Sequence, residues 1–209
     1  IGGLFAVLSF TGCSYFGPCL DGTGPVVEEL RSASNFNAVS NTGSFDVYVT
    51  QSDLFHVEVV AQENLIPIIE TEVSGNTLII DTKDGTCFRS SSPVEVYVSL
   101  PDLEALSLTG SGKLIADVAD NQFFEWSNSG SGTIEFGAIY ESNEVNIRHS
   151  SSGNLRATII EGSQLDAHMS GSGRVDLYGE VVSADYSLSS SGKIDALELL
   201  ASDVDATNT

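Results

Sequence analysis

The chain has 209 residues, with 29 Asp and Glu against 8 Lys and Arg, for a formal net charge of −21. So acidic a surface repels phosphate backbones, which argues against nucleic acid as a partner. Many Gly and Ser, few aromatics and no long run of helix formers point to an all-β chain large enough for a core of its own.

The first element is "IGGLFAVLSFTGC", apolar and uncharged up to Cys13. It is too short to span a bilayer as a helix. It reads as the h-region of a bacterial export signal (residues 1–13) ending in a loose lipobox, with Cys13 as the lipidated residue. Phe10 stands where Leu is usual, and no basic n-region or starting Met precedes it, so the chain is expected to begin inside a longer reading frame. The competing reading of this run is a buried N-terminal strand. Residues 14–35 are expected to be linker. Cys19 and Cys87 remain, and in an oxidising compartment they either pair or stay as two thiols.

Residues 36–209 make one domain. In "FNAVSNTGSFDVYV", apolar and polar residues alternate on both sides of Thr42-Gly43-Ser44, which predicts strand, turn, strand. Residues 51–99 break the pattern. "FHVEVV", "SGNTLIIDT" and "PVEVYVSL" read as strands, and "AQENLIPIIETEV" as a short helical turn broken near Pro67. The segment is expected to be an antiparallel insert packed on the first coil.

From there on the chain repeats. Ser-Gly pairs fall at Ser111-Gly112, Ser131-Gly132, Ser152-Gly153, Ser172-Gly173 and Ser191-Gly192, with glycine spacings of 20, 21, 20 and 19. Two residues after each Gly stand Leu114, Ile134, Leu155, Val175 and Ile194; four after stand Ala116, Phe136, Ala157, Leu177 and Ala196. Six before stand Leu106, Trp126, Ile147, Ala167 and Tyr186. Columns that hold register across a period of about twenty residues predict a parallel β-solenoid, in which each coil buries the apolar face of the next. A flexible Ser-Gly linker would keep no such register. Gly is expected at the corner for its freedom at φ > 0, and the stacked Ser for a hydroxyl ladder. The earlier turn fits the same frame with Phe45 in the Gly position and Val39, Val47 and Val49 on the columns. The next turn Gly would fall near 211–212, so the chain is expected to stop midway through a coil, leaving an end prone to self-association.

Candidates for chemistry are few. His149 lies in the column of Leu108, Asn128, Met169 and Leu188, and His168 in the adjacent outward column, so the two are expected on opposite faces and not on one metal. His56 lies apart, in a strand of the insert. No GxSxG elbow and no GGxGxD calcium repeat is present, and the Ser-Gly turns lead into strands rather than helix N-termini. Trp126 fits the core. No cofactor is expected. The outward acids Asp166, Asp176, Asp185 and Asp195 leave one enzymatic alternative, a carbohydrate-active β-helix working on surface glycans; as a solvated face they fit a protein that only binds.

"CSYFGPCLDGTGPVVEELRSASNFNAVSNTGSFDVYVTQSD", "ENLIPIIETEVSGNTLIID" and the SGSG repeats together resemble the bacterial "putative autotransporter adhesin, head GIN domain" family, over about residues 22–209. That family consists of exported proteins, frequent in Bacteroidetes and often lipoproteins. The resemblance implies a right-handed parallel β-helix and an address in the cell envelope, as an outer-membrane lipoprotein on the surface or the periplasmic face. It implies an adhesive or structural role without catalysis and carries over no catalytic residue. The expected partner is an extended glycan or envelope protein, with the membrane reached only through the lipid.

Overall fold

The computed structural model describes residues 19–83 and 86–209. Their regular structure is β throughout, apart from one 3-10 turn at Ile66–Ile68 that contains Pro67. In chain order the strands are β1 (Leu20–Asp21), β2 (Val26–Leu30), β3 (Ala38–Asn41), β4 (Asp46–Gln51), β5 (His56–Gln62), β6 (Ile69–Ser74), β7 (Thr77–Thr82), β8 (Phe88–Arg89) and β9 (Glu95–Leu100). They continue as β10 (Ala105–Leu108), β11 (Lys113–Asp120), β12 (Phe123–Asn128), β13 (Thr133–Tyr140) and β14 (Glu144–His149). The last three are long: β15 (Asn154–Met169), β16 (Arg174–Leu188) and β17 (Lys193–Asn208).

The repeat folds as a parallel solenoid. Before the Ser-Gly corner, Val39 pairs with Leu106, Leu106 with Trp126, Trp126 with Ile147, Ile147 with Ala167, and Ala167 with Tyr186. After it, Val47 pairs with Leu114, and the ladder continues through Ile134, Leu155, Val175 and Ile194. Alternation along each strand turns these residues inward, and all but Tyr186 and Ile194 of the last coil are buried. Burying one such side chain contributes about 1.5–3 kcal/mol, and only stacking provides the burial. Trp126 sits at the middle of the stack against Phe124 and Phe136, with ring centroids 5.2 and 5.1 Å away. A third side, with Ala119, Ile139 and Ile159 facing in, closes each coil. In β15 and β16 this side runs straight into the next coil.

The corner glycines are required for a reason different from the expected one. Positive φ among the described glycines is confined to Gly24, Gly75 and Gly179. A Cβ on Gly132 or Gly153 would instead stand 2.0 Å from the carbonyl oxygen of the turn below, Gly112 O and Gly132 O respectively. At this corner the glycine faces the backbone of the coil below, and no side chain fits between them. The expected Ser ladder is also absent from the corner. The Ser–Ser contact found among the described residues, Ser107 Oγ to Ser127 Oγ at 3.4 Å, lies on the preceding strands.

The insert holds more than antiparallel strands. The antiparallel pairs are there: β5 runs against β9 and β6 against β7, the latter through a tight Gly75-Asn76 loop with Gly75 at φ 62°. But β7 and β9 themselves run parallel to β3 and β4, placing Leu78 on Val39, Val96 on Val47 and Val98 on Val49. Residues 77–100 therefore form a coil of their own, stacked on the far side of the first coil although later in sequence. Outside it, β5 and β6 run the other way and end the parallel stacking, and Leu65, Ile66 and Ile69 join the same core. Some of the stretch expected as linker is also structured. β2 pairs antiparallel with β5, and β1 pairs with β8. Neither carries an alternating pattern, since β1 is two residues long and β2 reads VVEEL, and each lies at an edge with most side chains exposed.

The close approach makes a prediction. Gly153→Ala should destabilise the domain by about 1–3 kcal/mol or more, since backbone must shift to admit one methyl group. Ser152→Ala, at the exposed neighbouring position, should change stability by about 0.5 kcal/mol or less. Urea melts of the two variants measure the difference.

Candidate functional site

Outward residues on the strands before the corner form a shallow groove of about 250 Å³, lined among others by Asp166, His168, Asp185, Ser187 and Asp205. The three Asp stand in register on adjacent strands, Asp166 beside Asp185 beside Asp205. His168 pairs in register with Arg148 on one side and Ser187 on the other. Arg148 reaches away to Glu125.

Beyond the corner the outward groups are paired off. Arg174 bridges Asp176 (2.6 Å) and Asp195 (3.0 Å), Lys193 also holds Asp195 (2.6 Å), and Lys113 faces Asp46 at 3.5 Å. The hydrogen bond from Lys193 keeps the Asp195 carboxyl below the ordinary value for Asp. Arg156 lies over the Tyr178 ring, and Tyr48 and Tyr97 stack with centroids 5.1 Å apart. The four acids singled out in the sequence are thus split into two pairs, one on each side of the corner. Asp176 and Asp195 are neutralised by their own strands.

His149 and His168 separate as their columns require: His149 is buried and His168 exposed. His149 Nε2 lies 3.0 Å from the Gly153 carbonyl oxygen, so this nitrogen carries the proton and donates, and Nδ1 is buried without a partner. Asn128 has the same role in the preceding coil. Its Nδ2 donates to Gly132 O at 3.3 Å, and its Oδ1 accepts from Gly130 N at 3.1 Å. Asn41 does so at the first turn, donating to Phe45 O and Lys113 O. These polar side chains in an otherwise apolar column clamp the corner from inside. Sequence reasoning missed that role, although Asn41, Asn128 and His149 at one repeat position was the signal for it. No group of three or more His, Cys, Asp or Glu among the described residues is placed to hold a metal ion.

Of the remaining sequence candidates, Cys13 lies outside the described residues. Cys19 and Cys87 are joined by a disulfide, with Cα atoms 4.5 Å apart, which ties β1 to the loop of the coil formed by residues 77–100. Ser111, Ser131, Ser152, Ser172 and Ser191 are all exposed, as are Thr109, Ser129, Ser150, Ser170 and Ser189 two residues earlier, so the corner is a continuous edge of hydroxyls.

A family model described as "Putative auto-transporter adhesin, head GIN domain" matches residues 35–209. The chain belongs to this family. Solved structures with the same fold include a protein described as a putative lipid binding protein from Parabacteroides distasonis, with a TM-score of 0.84 at 24% identity over 91% of this chain and 81% of that one. A putative adhesin from Parabacteroides merdae gives 0.81 at 22% identity, over 92% and 81%. A second P. distasonis protein, also described as a putative adhesin, gives 0.69 at 20%, over 91% and 81%. At these identities the likeness is one of fold. None of the curated proteins matches the chain.

Burial lowers the pKa of His149, because a proton on Nδ1 would place an unpaired charge inside the corner of this adhesin-family domain. Its folded pKa lies below the unfolded value of about 6.5. The unfolded chain therefore takes the proton first as pH falls. The stability from this site is complete above that pH and is lost below it, down to the folded pKa, with a slope of at most about 1.4 kcal/mol per pH unit. His149→Asn, which copies Asn128, should remove this component. Denaturant melts from pH 7 to pH 5 are expected to show a steeper loss for the parent than for the variant.

Proposed function

We propose that this chain is the binding domain of an exported, lipid-anchored adhesin that grips an extended surface partner, a glycan or an envelope protein, and transforms nothing. One observation carries the reading: outward groups are dealt along flat ladders one column at a time, so that Asp166, Asp185 and Asp205 repeat as a single column of like charges on one side of the corner while Asp176 and Asp195 are neutralised in place on the other. Catalysis needs an acid, base or nucleophile converging on one reacting atom. Ladders of neutral hydroxyls and paired charges offer many weak, equivalent contacts instead, and these add up along an extended partner. Family membership supports the adhesive role, and the run ending at Cys13 supports the lipid anchor. The disulfide fits an oxidising compartment.

A second reading, binding of an acyl chain, is favoured by the description of the P. distasonis relative as a putative lipid binding protein.

The test is an array of glycans, envelope and matrix proteins and phospholipid vesicles, probed with the disulfide-bonded chain, alongside an assay for product from polysaccharide, peptide and ester panels. Retention on a glycan or protein without product is the expected result. Capture by vesicles alone would favour the second reading, and turnover lost in Asp176→Asn or Asp195→Asn would overturn both. Labelling of the full gene product with a palmitate analogue should occur in the parent and vanish in Cys13→Ala.

A further inference from the structure

At one end of the hydroxyl edge, the coil of residues 77–100 meets the first turn, and a cleft of about 250 Å³ opens there. Thr42 and Ser44 line it from the first turn, Ser111 from the next turn, and Thr82 and Thr86 from the opposite wall, with Phe88 beside them. Thr42 Oγ1 donates to Ile80 O at 3.1 Å. The other four hydroxyls have no hydrogen-bond partner among the described residues. The Phe88 ring is held nearly parallel to the buried Phe45 ring, with centroids 6.0 Å apart and planes 7° apart, so it is braced from behind. Among the described residues, no charged side chain lines the cleft.

We propose that this cleft binds the terminal sugar ring of a neutral glycan, whose following units run along the exposed edge past Ser111, Ser129 and Ser131. The proposal rests on the binding reading above and names its partner. A pyranose has an apolar C–H face that packs on an aromatic ring, and a rim of hydroxyls that both donate and accept. Phe88 and the free Ser and Thr hydroxyls match these two features in kind. Pockets for drug-sized ligands run to roughly 300–1,000 Å³, so the smaller cleft suits a single ring. Charge selects further. An anionic sugar is repelled by a chain of net charge −21, and a cationic one is drawn to the acidic surface at large rather than to this cleft, whose described lining holds no carboxylate. Ser111 belongs to both cleft and edge, so a bound end continues onto the ladder without a break, and each further ring adds a weak contact.

The experiment titrates the disulfide-bonded chain with cellohexaose, maltohexaose and mannohexaose, and in separate arms with a sulfated oligosaccharide and a de-acetylated chitosan hexamer, by calorimetry. At least one neutral hexamer should bind saturably and without dependence on salt, the sulfated probe should not bind, and the cationic hexamer should be held only through a salt-screened attraction that Ser44→Ala and Thr86→Val leave unchanged. Phe88→Ala should weaken binding about tenfold, and Ser44→Ala and the isosteric Thr86→Val each about two- to tenfold. Ser191→Ala, at the far end of the edge, should change it less than about twofold. Thr86→Val alters no buried packing, so it decides the matter even if Phe88→Ala folds poorly. Failure of every neutral hexamer to bind overturns the proposal, as does binding that Ser44→Ala and Thr86→Val leave unchanged. If the array partner is still held by those variants, only the cleft assignment falls; if the array captures nothing, the binding reading falls with it.

Discussion

The whole domain depends on the close stacking of backbone at the Ser-Gly corner. At Gly112, Gly132, Gly153 and Gly173 a Cβ would stand about 2 Å from the carbonyl oxygen of the coil before it. That contact fixes the register of the two strands leaving the corner. Register in turn decides whether Leu, Ile and Val land over one another or face water, because a shift by one residue turns every side chain to the other side. Corner spacing and core columns are thus one constraint seen at two places. Inside the corner, Asn41, Asn128 and His149 give a second hydrogen bond to carbonyls that also accept from the backbone of the next coil.

Much of this was legible in the sequence because a solenoid writes its third dimension along the chain. Leu114, Ile134, Leu155 and Val175 stand about twenty residues apart and about one strand spacing apart, so counting sufficed. The coil of residues 77–100 was not legible, because its place in the stack differs from its place in sequence: it lies outside residues 38–51 although it follows them. Leu78, Ile80, Val96 and Val98 alternate as any strands do, and nothing local tells a parallel neighbour from an antiparallel one. β1 and β2 were missed because edge strands bury little and so need no alternation of apolar and polar residues.

The acids show the same limit at the level of function. Asp166, Asp176, Asp185 and Asp195 are equally outward in the sequence pattern. Only the fold reveals that two of them share Arg174 and Lys193 while the other two stack without cations. The cleft beneath Phe88 had no sequence signature at all, since its walls come from three separate stretches of the chain.

The disulfide also decides how the domain bears mechanical load. Cys19 and Cys87 are 68 residues apart, and the bond between them closes everything in that interval into a covalent loop. Tension applied upstream of Cys19 crosses the sulfurs and re-enters the backbone at Phe88. β1 through β7 lie inside the loop and off the force path, including the edge strand β2 that would otherwise unzip from β5 one hydrogen bond at a time. The first long strand to feel the pull is β9, flanked by β4 on one side and β5 on the other. A strand hydrogen-bonded on both sides and drawn along its own axis must break many bonds together, so this end of the domain resists by shear where it would have yielded by peeling.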